Sequence, residues 1–282
     1  NYNLKYLYGP DYGYRTAMNE TMRNHVAKVT KILSNKTNLS ANDVVLDIAS
    51  NDGTLLKSYK KNAITFGIDP LVNKYINSYR KINYKVSDFF SLKKILQKTK
   101  KKFKIITSLA VFYDLEDPNK YLRELEKILE DDGILLVEIA DLLSMLKYNM
   151  FDAICHEHLA YYTTKIIIEM TKKNNLRVFD VKLNDINGGS TQYYICKKNA
   201  KYKNNTKYIK KILNIESNSR LDKKNIYFKF FYKIKKIKNK IVKIILKAKS
   251  RKEKIHGYGA STKGNVILQY CNIGNQLLDC IA

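Results

Sequence analysis

The segment FDAICHEHLAYY, residues 151–162, brings together residue types that can move protons. Two of the four histidines in the chain, His156 and His158, lie two positions apart, with Glu157 between them and Cys155 immediately before. Histidine titrates near neutral pH, so an imidazole can accept a proton without carrying a permanent charge. In an extended segment, residues two apart share a face, so we expect the histidines to point one way and Cys155 with Glu157 the other. The segment predicts a site for general acid–base catalysis.

Two other interpretations of this segment stay open. Histidine and cysteine are common zinc ligands, and H-x-H occurs on metal-binding strands. The other two histidines, His25 and His256, are distant in sequence, however, and the spacing differs from the H-E-x-x-H pattern that places two histidines on one helix face. A histidine pair satisfied by hydrogen bonds would have only a structural role. We favour catalysis and predict no metal.

A second set of polar residues stands at the ends of short apolar runs. The run VVLDIASNDG carries Asp47 at the end of a predicted strand and Gly53 at the start of the next helix; Asp69 closes the second strand and Asp88 the third. Ligands of doubly wound sheets bind at the carboxyl ends of strands, where an acid about 20 residues past the first turn accepts the hydroxyls of a ribose. Asp88 could accept from an adenine amino group. These acids predict a nucleoside site.

The first turn is not a G-x-G-x-x-G sequence, because Ala49 and Asn51 stand where the first two glycines would be. A close approach of the backbone to a pyrophosphate is therefore less favoured, and an adenosyl cofactor without phosphates fits better. The alternative is that the three acids are only turn formers and helix N-caps.

The elements that must position these residues follow an alternating pattern. After a helix over residues 16–33, apolar runs predict strands at 44–49, 65–70, 84–90, 104–110 and 134–140, with helix-like segments between them. This alternation implies crossover connections and a parallel sheet covered on both faces. The histidine segment follows the fifth strand, so it can lie at the same sheet edge as the acids. A helix at 164–176 and a hairpin of 178–185 with 191–198 follow.

The remaining chain is strongly basic. Residues 199–224 are polar and we expect them to be irregular, whereas the isoleucines from Ile226 to Ile245 recur at helical spacing among lysines. From Lys198 to Lys254, 21 Lys and Arg stand against three acids, so this stretch carries +18 of the total charge of +26. A lysine run is usually a solvated face, so we expect no nucleic-acid partner. A nucleic-acid-binding helix is the alternative.

Membrane and disulfide signals are weak. No run approaches the roughly 20 apolar residues that span a bilayer, and the four cysteines show no C-x-x-C spacing. We predict a cytoplasmic protein with reduced thiols and no membrane partner, of undetermined oligomeric state.

The strand-end acids and the alternating elements resemble the class I S-adenosylmethionine-dependent methyltransferases over about residues 40–198. The resemblance implies an α/β, Rossmann-like sheet of seven strands with the last one antiparallel. It also implies that the cofactor is S-adenosyl-L-methionine. The predicted cofactor-binding residues are Asp47, Ala49, Asn51, Gly53, Asp69 and Asp88.

A more specific resemblance covers essentially the whole chain. FDAICHEHLAYY, NDINGGSTQYYI, LYGPDYGYRTAMNETM and HGYGASTKGNVILQYC together resemble the bacterial nucleotide-sugar C-methyltransferases of the deoxysugar C-3-methyltransferase type. In that family a zinc-binding module precedes the catalytic domain and a second Rossmann-like domain follows it. We therefore expect a fragment with a lead-in segment and helix (1–39), a methyltransferase domain (40–198), a basic helical linker (199–254) and the start of a truncated Rossmann-like domain (255–282).

The resemblance also implies catalytic roles. His158 would remove the proton from the sugar carbon next to a 4-keto group, and the resulting enolate would take the methyl group. Glu157 would position or polarise the site, Tyr14 would reach it from the lead-in segment, and His156 completes the predicted catalytic set. Transfer to a hydroxyl or an amine of a sugar by the same fold is an alternative.

Two departures from better-known members concern the substrate, a nucleotide-diphosphate sugar. Cys155 stands where they carry tyrosine, and Asn187 stands before GGS where they often carry histidine. Lys263 opens a helix after the glycine turn HGYGASTKG, where backbone amides can hold an anion such as a diphosphate; a plain packing turn is the alternative. The predicted substrate residues are Cys155, Asn187, Gly188, Gly189, Ser190 and Lys263.

Overall fold

The computed structural model describes residues 4–59, 63–259 and 261–281. Among these residues a seven-stranded sheet forms the centre of the molecule, in the order β3-β2-β1-β4-β5-β7-β6. Its strands are β1 (Val44–Ile48), β2 (Ile64–Ile68), β3 (Tyr84–Val86), β4 (Phe103–Leu109), β5 (Leu129–Ala140), β6 (Leu176–Asn184) and β7 (Ser190–Lys197). The predicted α/β sheet is confirmed, since β7 alone is antiparallel to its neighbours β5 and β6.

Helices cover the sheet and extend beyond it. Within the described ranges they are α1 (Leu4–Leu7), α2 (Glu20–Thr37), α3 (Thr54–Lys57), α4 (Leu92–Lys98), α5 (Pro118–Ile128), α6 (Leu142–Tyr148), α7 (Thr164–Lys173), α8 (Thr206–Asn218), α9 (Lys224–Ser250) and α10 (Thr262–Cys271). Short 3-10 turns occur at Thr16–Met18, Ile76–Tyr79, Phe112–Asp114, Phe151–Ala153 and Ile186–Gly188. A separate parallel pair joins β8 (His256–Gly257) to β9 (Cys280–Ile281).

Alternating residues of each strand enter two different cores. In β5, Leu135 and Val137 pack in the core shared with α4, α5, α7 and α8, whereas Ile134 and Leu136 pack in the core shared with α2 and α3. Both faces are therefore buried, which explains why the parallel strands are continuous apolar runs rather than alternating ones.

A third core lies outside the sheet. Phe230 and Ile234 of α9 pack against α6 and against the Phe151–Ala153 turn, and Tyr270 of α10 joins them. The ring of Tyr270 lies 5.1 Å from the ring of Phe151. Helices α9 and α10 thus pack onto the first residues of the segment that carries the histidines.

One expected irregular stretch is helical. Residues 199–224 contain α8, whose Ile212 is buried among the core residues beside β6. Its Glu216 is also buried and accepts hydrogen bonds from the backbone N–H groups of Thr164 (2.5 Å) and Lys165 (3.2 Å) at the start of α7. Lysine and asparagine dominate the composition of residues 199–224, so the helical spacing of the apolar residues in α8 was overlooked. The long helix expected from Ile226 is present as α9.

The lead-in helix begins later than its spacing suggested, because Asn19 caps α2 and its side chain accepts from the N–H of Met22. The domain boundaries stay predictions, and residues 1 and 282, where the first and last predicted domains begin and end, lie outside the described residues. In the part of the chain that is described, no helix has both the length and the apolar composition needed to cross a bilayer.

Candidate functional site

The predicted site residues converge on one edge of the sheet. Strands β1, β2, β4, β5 and β6 all run in the same direction, because the first four pair in parallel and β6 shares its antiparallel partner with β5. Their carboxyl ends therefore meet at one edge, where ligands of such sheets bind. The turns that follow these strands carry the acids, the histidine segment and the NGGS turn.

The turn after β1 has an unusual backbone. Ala49 (φ 55°), Asn51 (φ 50°) and Gly53 (φ 73°) all adopt left-handed conformations. Glycine is needed at the last of these positions, because a Cβ there would lie 2.6 Å from Cδ1 of Ile82. Residues 49, 51 and 53 therefore all have the left-handed conformation that glycine adopts most readily, although only the last of the three is a glycine.

Asp47 is buried beside this turn, with 4 % of its surface exposed. The hydroxyl of Thr107 on β4 donates to it over 2.6 Å. Burial raises the pKa of Asp47 to about 7, the Thr107 hydrogen bond opposes the shift, and the charge of Asp69 adds to it. Among the described residues no cation contributes to the pKa shift of this carboxylate, so a cationic ligand could stabilise it.

Asp69 follows β2 and holds the turn after β1. One of its oxygens accepts from the N–H of Asn51 (2.9 Å) and the other from the N–H of Leu71 (2.7 Å). Burial raises the pKa of Asp69 to about 6, against the effect of these two hydrogen bonds. An ionised carboxylate offers about four lone-pair sites, so two remain for ribose hydroxyls.

The lead-in segment is fastened to the same turn. The side chain of Asn51 accepts from the N–H of Thr16 and donates to the carbonyl of Tyr14, each over 3.0 Å. Asp52, which is fully buried, accepts from the N–H of Ala17 (3.0 Å) and from Nε of Arg15 (3.3 Å). Sequence reasoning missed Asp52, although it lies in the same S-N-D-G turn as Asn51 and Gly53.

Asp88, the third predicted cofactor acid, has a different environment. It is half-buried after β3 and forms an ion pair with Lys94. The hydrogen bond from Lys94 lowers the pKa of Asp88. Its contact with an adenine stays a prediction.

The histidine segment is a turn rather than an extended strand, so the expected pairing of its side chains is wrong. The N–H of His158 donates to the carbonyl of Cys155 over 3.3 Å, which curls the segment. The side chains of Cys155, Glu157 and His158 converge, with ligand atoms within 4.8 Å of one another, whereas His156 is exposed and does not belong to this group. Three such groups could hold a metal ion, but their hydrogen bonds also suit acid–base catalysis.

The tautomer of His158 follows from its contacts. Nδ1 lies 2.8 Å from the carbonyl oxygen of Ala153, and a carbonyl can only accept, so Nδ1 carries the proton. Nε2 then has a free lone pair and no hydrogen-bond partner among the described residues. Burial lowers the pKa of His158, Lys263 adds to this effect, and Ala153 and Glu157 oppose it. The imidazole is therefore neutral near pH 7, as a general base must be.

The turn after β4 holds the histidine segment in place. The N–H groups of Leu159 (2.9 Å) and Ala160 (3.2 Å) both donate to the carbonyl of Tyr113. The ring of Tyr113 lies 4.2 Å from the ring of His158. These contacts fix the imidazole beside the carboxyl end of the central strand β4.

Asp114, the next residue, was missed by sequence reasoning. It is 7 % exposed and accepts from the phenol of Tyr8 over 3.0 Å. The charges of Asp114 and Glu157 both raise the pKa of Tyr12 after the effect of burial, so Tyr12 lies near these two acids. Asp114 lies beyond the end of the fourth strand, in the Phe112–Asp114 turn, so it does not close its apolar run as Asp69 does.

Tyr14, the predicted catalytic tyrosine, is 43 % exposed. Its ring lies 6.5 Å from the ring of Tyr12. Tyr8 and Tyr12 interact with the acids near His158, whereas the carbonyl of Tyr14 accepts from the side chain of Asn51 in the turn after β1. Its catalytic role stays a prediction.

Helix α10 reaches both the histidine segment and the NGGS turn. The hydroxyl of Thr262 donates to Glu157 over 3.4 Å, and Nζ of Lys263 donates to the carbonyl of Asn187 over 3.2 Å. Predicted residues far apart in sequence, Glu157, Asn187 and Lys263, are thereby brought together.

The NGGS turn has a clear packing role. Asn187, Gly188 and Gly189 all have positive φ, and a Cβ on Gly189 would lie 2.7 Å from Cβ of Ser144 in α6. Ser190 is buried and donates to the carbonyl of Ile186 over 2.8 Å. Close packing accounts for these glycines, and their contact with substrate stays a prediction. Two open surface grooves, one along α8 and one between α4 and α5, contain none of the predicted site residues.

Known proteins resemble this chain in sequence and in fold. Residues 18–181 match the family model described as a methyltransferase domain, and residues 185–282 match a C-methyltransferase C-terminal domain. C-methyltransferase NovU of Streptomyces niveus is 23% identical over 281 residues, which cover 97% of this chain and 67% of that protein.

A solved S-adenosylmethionine-dependent methyltransferase from Clostridium acetobutylicum has a TM-score of 0.50 and 14% identity. The match covers 62% of this chain and 92% of that one. At this identity the likeness concerns the fold alone.

Proposed function

The chain belongs to the class I S-adenosylmethionine-dependent C-methyltransferases, and we propose that it methylates a carbon next to the keto group of a nucleotide-linked deoxysugar, with His158 as the general base. The observation that carries this proposal is the state of His158. Its Nδ1 proton is held by Ala153, its Nε2 is unpartnered among the described residues, and its burial favours the neutral form.

The residues after β1 and β2 fit S-adenosyl-L-methionine. Asp47 and Asp69 are buried carboxyl groups whose pKa values are raised by burial, and in their ionised form they would repel a diphosphate and attract a cation. Asp69 has lone pairs left for ribose hydroxyls, and Asn51 and Gly53 shape the turn beside it. When bound, the cofactor supplies a methyl group on a positively charged sulfur.

A carbon next to a ketone becomes nucleophilic only after it loses a proton. Nε2 of His158 would accept that proton, the carbon–hydrogen electron pair would move into the enolate, and the imidazole would become positively charged. Glu157 raises the pKa of His158 and so favours this charged product of proton transfer. Thr262 holds Glu157 from α10. Tyr14 would approach from the lead-in segment, although its ring has no described contact with His158.

The nucleotide end of the substrate would lie towards α10. Lys263 stands in the first turn of that helix, after the N-cap Ser261, where backbone N–H groups and a positive charge favour an anion. Its contact with the carbonyl of Asn187 places it beside the NGGS turn. A diphosphate in this position would leave the sugar ring beside Cys155 and His158.

The test uses S-adenosyl-L-methionine with dTDP- and GDP-linked 4-keto-deoxyhexoses. We expect NMR spectra to show a new carbon–methyl bond next to the ketone. We also expect the enzyme to exchange that carbon's proton with deuterated solvent when the methyl donor is replaced by S-adenosylhomocysteine. Methylation of oxygen or nitrogen without such exchange would contradict the proposal and favour a sugar O- or N-methyltransferase.

A further inference from the structure

We propose that Asp114 acts as a neutral hydrogen-bond donor to the oxygen of the enolate, a catalytic role that rests on the proposed function. The carboxyl group lies in the turn after β4, at the sheet edge that carries the cofactor acids. No sequence pattern identified it, and the proton transfer to His158 does not use it.

The two oxygens of Asp114 differ in their surroundings. Oδ2 accepts from the hydroxyl of Tyr8 over 3.0 Å, whereas Oδ1 is buried and has no hydrogen-bond partner among the described residues. A phenol that donates to Oδ2 leaves the proton of a neutral carboxyl group on Oδ1. An unused buried donor costs about 1–3 kcal/mol. A ligand that accepts a hydrogen bond would remove this cost.

The surroundings favour the neutral form of Asp114. Burial raises its pKa to about 8, the charge of Glu157 adds to this shift, and the Tyr8 hydrogen bond opposes it. No cation is among the titratable groups that interact with Asp114 in the described part of the chain. Those groups are Tyr8, Tyr12, Tyr113, Cys155, Glu157 and Tyr161.

Asp114 is linked to His158 through Tyr113, the residue between Asp114 and β4 that contacts the imidazole. Tyr113, the residue before Asp114, packs its ring against the imidazole, and its carbonyl binds the two residues that follow His158. In a ketone the oxygen is only two bonds from the carbon that loses its proton. A base and a donor in one cluster can therefore act on the same substrate, one at the carbon and the other at the oxygen.

The proposed step moves one proton and one electron pair. The carbon–hydrogen bond breaks, its proton goes to Nε2 of His158, and its electron pair forms the carbon–carbon double bond of the enolate. The charge that develops on oxygen is stabilised by the Oδ1–H of Asp114, which keeps its proton. The ketone forms again when the carbon takes the methyl group, whose bond to the sulfonium sulfur breaks and leaves its electron pair on the sulfur.

The neighbouring thiol is less suited to this role. Sγ of Cys155 lies 3.8 Å from Oε2 of Glu157 and donates towards it. Burial raises the pKa of this thiol, and a thiol is a weak donor. Asp114 is the stronger donor, and its proton has no other described acceptor.

The test compares Asp114→Asn with Asp114→Leu. An asparagine can accept from Tyr8 through its oxygen and donate from its nitrogen, whereas leucine can do neither. We expect Asp114→Leu to lower kcat by about 10²- to 10³-fold, the usual effect of losing such a donor, and Asp114→Asn to stay within about tenfold of wild type. Equal losses in both variants, with both folded by circular dichroism, would overturn the proposal.

The pH profile separates this role from a structural one. Wild-type activity should fall as the pH rises through about 8, where Asp114 loses its proton, and Asp114→Asn should lack this alkaline limb. A limb that persists in Asp114→Asn would contradict the proposal.

A substrate-free measurement separates this inference from the proposed function. Infrared difference spectra of wild type against Asp114→Asn should contain a protonated carboxyl band at neutral pH. Absence of the band would refute the donor role of Asp114, even if the enzyme methylates carbon. A band in an enzyme that never exchanges the substrate proton would instead refute the proposed function, and with it the role of Asp114.

Discussion

The two halves of the sheet edge treat their buried polar groups differently. On the side where we propose that the cofactor binds, Asp47, Asp52 and Asp69 accept hydrogen bonds from a hydroxyl, a guanidinium or backbone N–H groups. On the side of the histidine segment, Nε2 of His158 and Oδ1 of Asp114 have no partner among the described residues. The acids of the first half are hydrogen-bonded within the protein before any ligand binds. The second half keeps an imidazole nitrogen and a carboxyl oxygen that have no partner among the described residues.

This difference matches the proposed chemistry. Groups that only hold a cofactor can be satisfied by the protein, because their protonation state need not change during the reaction. Groups that move a proton or bind a new charge must keep a lone pair or a donor available. The lead-in segment connects the two halves, since Asn51 binds Tyr14 and Asp114 binds Tyr8.

The largest expected effect comes from substituting His158, on the side of the sheet edge that carries the histidine segment. His158→Asn keeps a donor near Nδ1 for the Ala153 carbonyl and removes Nε2. We expect exchange of the substrate proton to fall by about 10²- to 10⁴-fold, the range of general-base catalysis, with cofactor affinity unchanged. NMR exchange rates and calorimetric titration measure the two effects. The control is His256→Ala, an exposed histidine on β8. Exchange that survives within about tenfold would rule out His158 as the base.

A smaller effect should come from the cofactor half. Asp69→Asn removes the charge that accepts from Asn51 and from ribose hydroxyls. Because hydrogen bonds to charged groups contribute about 1.5–3 kcal/mol, the Kd for S-adenosylhomocysteine should rise by about 10- to 150-fold. Asp222→Asn, which pairs with Lys223 on the surface, is the matched control. Loss of proton exchange in Asp69→Asn at saturating cofactor would contradict the assignment of Asp69 to cofactor binding alone.

The pH dependence of cofactor binding sharpens the contrast. The raised pKa values of Asp69, about 6, and Asp47, about 7, mean that these carboxyls ionise only as the pH rises through this range. A positively charged ligand prefers the ionised form, so S-adenosyl-L-methionine should bind more tightly with rising pH, by up to about tenfold per unit for each carboxyl group below its own pKa, which is about 7 for Asp47 and about 6 for Asp69. S-adenosylhomocysteine lacks the sulfonium charge and should show a weaker dependence. Identical calorimetric profiles for both would contradict this assignment.

The smallest effect concerns the link to α10. Lys263 lowers the pKa of His158, so Lys263→Met should move the acidic limb of the kcat/KM profile to higher pH. KM for the nucleotide sugar should also rise, since Lys263 would hold the diphosphate. Lys240→Met, on the exposed side of α9, serves as the control. An unchanged pH profile and an unchanged KM would show that α10 does not contribute to the substrate site.

The strand-end acids were predictable because they depend on local order along the chain. A short apolar run, a turn and a helix place Asp47 and Asp69 at one edge wherever parallel strands pair. Asp114 lies at the same sheet edge but five residues past the end of β4, in the Phe112–Asp114 turn, so it does not close its apolar run as Asp69 does. Helix α8 was missed although Ile209, Ile212 and Leu213 lie at helical spacing, because lysine and asparagine dominate the stretch 199–224, and its stability comes from packing of Ile212 against the sheet.

The histidine segment was only partly predictable. Its residue types indicated acid–base chemistry, but the choice of His158 over His156 depends on carbonyls of Ala153 and Tyr113 that curl and hold the loop. Contacts from Tyr8 and Thr262 reach the same cluster from opposite ends of the chain. No local pattern contains this information.

The amino-acid sequence alone therefore determined the sheet, the edge at which ligands bind and the residue types that can perform the chemistry. These depend on periodicity and on turn residues, which act between near neighbours in the chain. The tertiary structure decided which imidazole nitrogen is free and which carboxyl oxygen lacks a partner. Protonation depends on burial and on contacts between segments more than 100 residues apart, such as Tyr8 with Asp114 (106 residues) and Glu157 with Thr262 (105 residues).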